Sequence, residues 1–210
     1  EAGDAYSVLR RRASVAEFSY DVTLSATGPL IRHGKDGFSV KSEDGQASYY
    51  YSQPFYQVAG TVTLEGQAIE VAGTAWLDRE WSSQVLSEAQ TGWDWLSLHL
   101  DSGDRVMAFR VRHQERDAYT VGTWIFADGT TRAVQPGEVR MTERGRETVE
   151  GRSVPVRWRL EIPAYDLNVT TDPVNPQSWM KTVFPYWEGP IVVGGSHSGT
   201  GYLEMTGYQP

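Results

Sequence analysis

The sequence predicts an all-β protein, with a closed antiparallel up-and-down barrel in its C-terminal two thirds and a smaller sheet before it. Three observations carry this. Apolar and polar residues alternate at period two over most of the chain, as strands with one dry face require. Turn signals rich in Gly, Asp and Ser separate the alternating runs. Aromatic residues make up 12% of the 210 residues, including 8 Trp and 11 Tyr, and large rings favour β-rich cores and apolar pockets.

In chain order, a short helical turn is expected at residues 8–15. Clean alternation follows at 18–24. Residues 28–45 carry glycine, charge and serine and read as one long loop. Alternation returns at 58–64, and Glu65-Gly66-Gln67 closes that run with a turn. A second helical turn is expected at 84–90. Beyond it, alternating runs cover 93–101, 106–113, 121–127, 156–162, 167–171 and 202–206. Asp101-Ser102-Gly103-Asp104, Asp128-Gly129 and Gly194-Gly195-Ser196 punctuate them, and Asp-Gly between alternating runs is a strong hairpin signal. From Gly73 onward about eight to ten strands are expected, enough to close a barrel and remove its edges. Before Gly73 about four are expected, too few to bury both faces of a sheet. The expected division is therefore residues 1–72, a partial sheet or incomplete barrel, and residues 73–210, a complete barrel.

Bulk properties exclude several functions. The net charge of -8 lacks the basic footprint of a nucleic-acid binder. There are no cysteines, so disulfides, thiol catalysis and cysteine-ligated zinc are excluded. No apolar run has the length of a membrane helix. The opening Glu1-Ala2-Gly3-Asp4 shows no charged start leading into an apolar stretch, so no signal peptide is read there. The four histidines, His33, His99, His113 and His197, have no metal-ligand spacing, and no metal or cofactor is expected. Gly-x-Ser-x-Gly is missing, which leaves a hydrolase triad without an anchor. The Gly194–Gly201 stretch lacks the Lys-Ser/Thr of a phosphate loop and reads as a hairpin loop.

The segment Gly73-Thr74-Ala75-Trp76-Leu77-Asp78-Arg79-Glu80-Trp81 is harder to place. Alternation fails where three charges lie between two tryptophans. Asp78 or Glu80 is a candidate proton donor, if burial raises its pKa. The competing reading is a structural clamp in which Arg79 ties these carboxylates together against Trp76 or Trp81. On residues 93–100, Trp93, Trp95, Ser97 and His99 share one face, and Asp94, Leu96, Leu98 and Leu100 share the other. The mixed aromatic and polar face is the better candidate for a barrel lumen. Tyr202, Glu204, Thr206 and Tyr208 share a face on the expected closing strand. A carboxylate turned inward there is strongly perturbed.

Three segments resemble one family. They are Ser48-Tyr49-Tyr50-Tyr51-Ser52 with the 73–81 stretch, Gly92-Trp93-Asp94-Trp95, and Tyr186-Trp187-Glu188-Gly189 followed by residues 201–208. Together they resemble the lipocalin-like carotenoid 1,2-hydratases (hydroxyneurosporene synthases) and AttH-like proteins. The resemblance implies two consecutive calycin-like barrels, here the tail of the first and all of the second. The Glu-Trp-Trp-Tyr segment that usually opens the front barrel does not occur. It also implies an extracytoplasmic site. The family pattern Asp-His-x-Trp reads Asp78-Arg79-Glu80-Trp81 in this chain. Arginine stays charged and cannot shuttle protons, so the hydratase chemistry that the resemblance implies lacks its histidine.

The functional expectation is binding or carriage of an apolar ligand, such as a lipid or isoprenoid, in an aromatic-lined barrel. Its lining residues are Trp76, Trp81, Trp93, Trp95, His99, Tyr186, Tyr202, Glu204 and Tyr208. The alternative is a lyase (hydratase) or cyclase acting on an isoprenoid or polyketide, with Asp78, Glu80, His99 and Glu204 as catalytic candidates. A structural or surface-attachment module is a third reading, favoured by a barrel with no cavity. The expected partners are an apolar small molecule, a membrane surface in peripheral contact, and the N-terminal part of the same protein.

Overall fold

The computed structural model describes residues 6–83 and 86–209. Two antiparallel sheets follow one another along the chain. The first holds β1 (Val8–Ser14), β2 (Phe18–Ala26), β3 (Ile31–Arg32), β4 (Phe38–Val40), β5 (Ala47–Leu64) and β6 (Gln67–Trp81). The second begins with β7 (Gln90–Leu100), β8 (Arg105–His113), β9 (Tyr119–Ile125), β10 (Thr131–Val134) and β11 (Arg140–Val149). It continues with β12 (Arg152–Ile162), β13 (Leu167–Pro173), β14 (Trp179–Met180), β15 (Tyr186–Gly195) and β16 (Gly199–Thr206). A single 3-10 turn at Pro163–Tyr165 is the helical element among the described residues.

The first sheet is organised by β5. This strand pairs with β2, β3, β4 and β6. Its hairpin to β6 turns through Glu65 and Gly66, with φ of 49° and 79°. Two consecutive positive φ values match the twist of the flanking strands, and glycine takes the second without strain. At the sheet edge β1 pairs with β2 along its whole length, so residues 8–14 form a strand and not the expected helical turn. Asp21 explains the exchange. It accepts hydrogen bonds from both Arg10 and Arg12, and period two puts those arginines on one face. The expected loop at 28–45 contains the short strands β3 and β4. The expected helical turn at 84–90 falls partly on residues 84 and 85, outside the described set, and Gln90 opens β7.

The second sheet runs in the order β10-β9-β8-β7-β16-β15-β13-β12-β11, with β14 on β15. It curls until residues of β7, β8, β10, β12, β15 and β16 meet in one core. Leu96, Leu98, Val106, Val134, Trp158, Leu160, Trp187, Leu203 and Met205 belong to that core, each at most 3% exposed. The ladder stops at β10 and β11, so the curled sheet is a half-barrel with a seam and not a ring closed by hydrogen bonds. Its interior is filled by side chains. Burying each of these large side chains contributes about 1.5–3 kcal/mol.

The expected boundary at 72/73 lies inside β6. Residues of β6 keep pairing with β5 as far as Tyr49 opposite Trp81, and the chain crosses to the second sheet after Trp81. The first sheet lies against the outside of β7–β9. Tyr50 and Trp76 pack there with Trp95, Met107, Phe109 and Val111, and Ile31 and Phe55 pack with Ile125. The far end of the first sheet is less covered: Leu64 and Ile69 are each 45% exposed.

Trp187 is fully buried in the half-barrel, whereas Val183 is 94% exposed. Trp187→Ala is expected to cost about 3–5 kcal/mol through lost burial and the cavity left behind. Val183→Ala is expected to stay within about 0.5 kcal/mol of the parent. Urea unfolding of the two variants measures both.

Candidate functional site

The pairing of β5 with β6 sorts the Trp76–Trp81 stretch onto two faces. Tyr50 lies opposite Glu80 and Ser52 opposite Asp78, while Tyr49 faces Trp81 and Tyr51 faces Arg79. Trp76 and Asp78 therefore turn toward the second sheet, with Glu80 at the rim, and Arg79 and Trp81 turn away. The failed alternation was a strand whose inward face is polar.

Asp78 sits at the centre of the inter-sheet cleft. Its Oδ1 accepts from the Trp76 indole at 2.7 Å and from the Ser52 hydroxyl. Its Oδ2 accepts from the Tyr50 hydroxyl at 2.9 Å, and Tyr50 in turn accepts from the Trp95 indole at 2.9 Å. Burial raises the Asp78 pKa above the ordinary carboxylate value, and the neighbouring Glu80 charge adds to the rise. The three hydrogen bonds oppose it. Glu80 accepts from Ser48 at 2.5 Å and pairs with Lys41 at 2.7 Å. The Lys41 ammonium lies 4.6 Å from the Tyr50 ring centre and 4.0 Å from that of Phe109. Burial lowers its pKa, against the pull of Glu80 and Asp78.

Glu204 forms the other wall. It reaches the cleft from β16 and accepts from the Trp93 indole at 2.8 Å. Directly opposite it on β15 stands Glu188. Burial is the main cause that raises Glu204 to about 7. The Trp93 bond opposes the rise, and the charges of Glu188, Asp78 and Glu80 add to it. Glu188 is itself raised by burial. Tyr186 packs edge-on to Trp93 at 6.1 Å, and Tyr202, 38% exposed, shares the Glu204 face. Trp76 packs edge-on to Trp95 at 6.4 Å and lies 5.8 Å from the His99 ring. His99 Nδ1 is 3.1 Å from Thr74 Oγ1. Burial, then the Arg105 charge, lowers His99 to about 4, so the ring is neutral at ordinary pH.

Trp76, Asp78, Trp93, Trp95, His99, Tyr186, Tyr202 and Glu204 thus share one cleft, with Glu80 at its rim. The cleft lies outside the half-barrel and not in its lumen. The expected lumen face of β7 was inverted, because the face that carries Leu96, Leu98 and Leu100, with buried Asp94 at its end, is the one that fills the interior. Two expected lining residues lie elsewhere. Trp81, 54% exposed, stacks on Tyr49 at 6.0 Å on the outer face. Tyr208 belongs to a separate cluster, where its hydroxyl donates to the buried Asp94 at 2.8 Å and Arg112 covers its ring at 4.2 Å. β16 ends at Thr206, and Gly207 at φ 85° swings the chain off the strand face. A Cβ there would lie 1.9 Å from the Thr91 carbonyl oxygen, so the turn demands glycine.

The expected Arg79 clamp is also replaced. Arg79 is exposed and bonds toward Tyr51, and Lys41 is the cation that holds Glu80. Sequence reading missed Lys41, His33 and the polar face of β5. That face was visible as Ser48-x-Tyr50-x-Ser52, three hydroxyls at period two. Among the described residues no three His, Asp or Glu side chains gather as a metal site.

A family model described as AttH-like matches residues 1–208. The chain belongs to the AttH-like family. An AttH-assigned crystal structure from Nitrosomonas europaea is 33% identical with a TM-score of 0.90, and the match covers 98% of this chain and 67% of that one. Kievitone hydratase from Nectria haematococca is 20% identical with a TM-score of 0.79, over 95% of this chain and 64% of that one. The second likeness shows the fold alone. No curated protein matches the AttH-like chain significantly.

Two outcomes check this site. Lys41→Met removes the cation beside Glu80 and Asp78 and is expected to lower the melting temperature, while Arg79→Ala leaves it unchanged. The second concerns pH. Glu204 has a folded pKa of about 7 against an ordinary 4.5, so the folded chain holds its proton more tightly than the unfolded chain. Its stabilising effect is complete below pH 4.5 and is lost as pH rises through about 7. Glu204→Gln is expected to flatten the fall in stability over that window, read from urea midpoints at a series of pH values.

Proposed function

We propose that the inter-sheet cleft adds water to, or removes it from, a carbon–carbon double bond of an apolar substrate of the isoprenoid or polyketide class. The observation that carries this reading is Glu204, a carboxyl raised to about 7 on an aromatic wall that faces a second perturbed carboxyl, Asp78. An acid whose pKa lies near the working pH is suited to proton transfer. In hydration, Glu204 gives its proton to one alkene carbon and a C–H bond forms. The adjacent carbon becomes cationic, and the faces of Trp93, Trp95 and Trp76 stabilise it. Water attacks that carbon, a C–O bond forms, and the water proton passes to ionised Asp78; before the next turnover Asp78 releases that proton to solvent and Glu204 takes one up. Dehydration runs the same steps backward. Glu80 and Lys41 set the field around Asp78, and neutral His99 and Tyr186 complete the walls.

Two further points support a lyase over carriage in a barrel. The half-barrel interior is filled by Leu98, Trp158, Trp187 and their neighbours, which favours the cleft over the lumen as the seat of an apolar ligand. One solved structure with this fold is named as a hydratase. The missing histidine at Arg79 does not count against the chemistry, because that position faces away from the cleft.

The full chain, incubated with acyclic isoprenoid alkenes, prenylated phenols and their tertiary alcohols, is expected to change substrate mass by one water. The hydration rate is expected to fall as pH rises past about 7, where Glu204 loses its proton, and to fall at low pH as Asp78 gains one. Glu204→Gln is expected to lower the rate about 10²–10⁴-fold. Saturable quenching of tryptophan emission without turnover would favour carriage instead.

A further inference from the structure

Asp78 is backed by a chain of side chains that crosses from one sheet to the other. Thr123 Oγ1 on β9 lies 2.9 Å from His33 Nδ1. His33 Nε2 lies 2.7 Å from Ser52 Oγ, and the Ser52 hydroxyl donates to Asp78 Oδ1. His33 and Ser52 are 0% exposed and Thr123 is 4% exposed, so solvent does not substitute for any of these partners. The His33 ring lies against Tyr50, with ring centres 4.2 Å apart. Burial, then the Lys41 charge, lowers His33 to about 3, and the ring is neutral. A neutral imidazole has one donor nitrogen and one acceptor nitrogen.

The hydrogen bonds then fix one another. A hydroxyl has one proton to give. When Asp78 is ionised, Ser52 gives its proton to Oδ1 and must accept from His33 Nε2–H. His33 Nδ1 then accepts from Thr123. When Asp78 is neutral, its proton has two places to sit. On Oδ2 it meets the Tyr50 hydroxyl, which already accepts the Trp95 indole and would be left with its own proton unbonded. On Oδ1 it donates to Ser52, whose proton turns to His33 Nε2. The ring must then carry its proton on Nδ1 and donate it to Thr123. The neutral arrangement holds one more proton than the ionised one, drawn from solvent. The ring and both hydroxyls keep one each.

We infer that His33 is a positioning residue that moves its single proton between Nε2 and Nδ1 and so keeps Asp78 hydrogen-bonded in both of its charge states. Its catalytic use rests on the reaction proposed above, in which Asp78 takes up and releases a proton in every turnover. A buried carboxyl with a fixed donor behind it is satisfied in one state only, and leaving a buried polar group unpaired is costly. The tautomer exchange moves the unbonded hydroxyl proton away from the carboxyl, from Ser52 or Tyr50 to Thr123 at the far end of the chain of bonds. The charged and titratable groups that face the pair are Lys41, Tyr50, Glu80 and, across the cleft, Glu204. The Lys41 charge opposes a second positive charge on the ring, which favours exchange of tautomer over formation of imidazolium.

The test uses the full chain with ¹⁵N-labelled histidine and long-range proton–nitrogen NMR. His33 is assigned among the four histidines by its loss in His33→Gln. If that variant does not fold, Ser52→Ala and Thr123→Val assign it by the signal each displaces. The Asp78 ionisation is followed separately through its ¹³C carboxyl shift. As pH falls through that ionisation, His33 is expected to change from the Nε2–H to the Nδ1–H pattern, with no imidazolium pattern. Ser52→Ala is expected to hold one tautomer across the same range. A wild-type tautomer that stays fixed while Asp78 titrates, an imidazolium formed at that pH, or a Ser52→Ala chain that still switches overturns the inference. None of these readings uses turnover, so a failed hydration assay leaves the relay standing and a failed relay leaves the hydration reading standing.

Discussion

Placing a carboxylate between two sheets is the constraint around which the cleft is arranged. Asp78 leaves bulk water when the first sheet docks on the outside of the half-barrel, and an unpaired charge there is costly. Each nearby polar group answers that cost. Ser52 and Trp76 donate to one oxygen and Tyr50 to the other. Tyr50 in turn secures Trp95, so one carboxylate ties β5 and β6 to β7. The docking is therefore held by directed bonds as well as by the apolar contacts of Met107, Phe109 and Val111.

The same burial sets the electrostatics. Glu80, Glu188 and Glu204 face the cleft or its rim with Asp78, and like charges at close quarters disfavour one another's ionisation. Lys41 offsets part of this through Glu80, but burial weakens its own hold on a proton. The outcome is two differently held carboxyls: Asp78 raised yet triply hydrogen-bonded, and Glu204 raised to about 7 with a single indole donor. Two carboxyls in one cleft with different environments can divide the acid and base roles between them.

The filled half-barrel leaves the polar, aromatic-walled cleft on its outer surface. Leu96, Leu98 and Leu100 fill the inside of β7, and Trp93, Trp95 and His99 face outward into the cleft. A strand with two dry faces arises because a second sheet covers what would otherwise be solvent-facing. This accounts for the aromatic content of a chain whose barrel has no room for a ligand.

Residues 18–24, 93–100 and 106–113 announced their strands because side-chain alternation is a local property, set by backbone pleat and burial alone. The turns at Glu65-Gly66 and Asp128-Gly129 were legible for the same reason. The AttH-like part of the family resemblance was legible as well, since the aromatic segments that carry it, such as residues 48–52, 73–81 and 92–95, are short contiguous strings. Which face of β7 points inward was not legible, because both faces are buried and period two cannot rank them. The seam between β10 and β11, the course of β6 across the expected boundary, and the departures of Trp81 and Tyr208 from the site were settled by pairing partners far along the chain. His33, Ser52 and Thr123 stand 19 and 90 residues from one another along the relay. Only docking of the first sheet onto the second brings them to Asp78, because a hydrogen-bonded chain across two sheets has no period in the sequence.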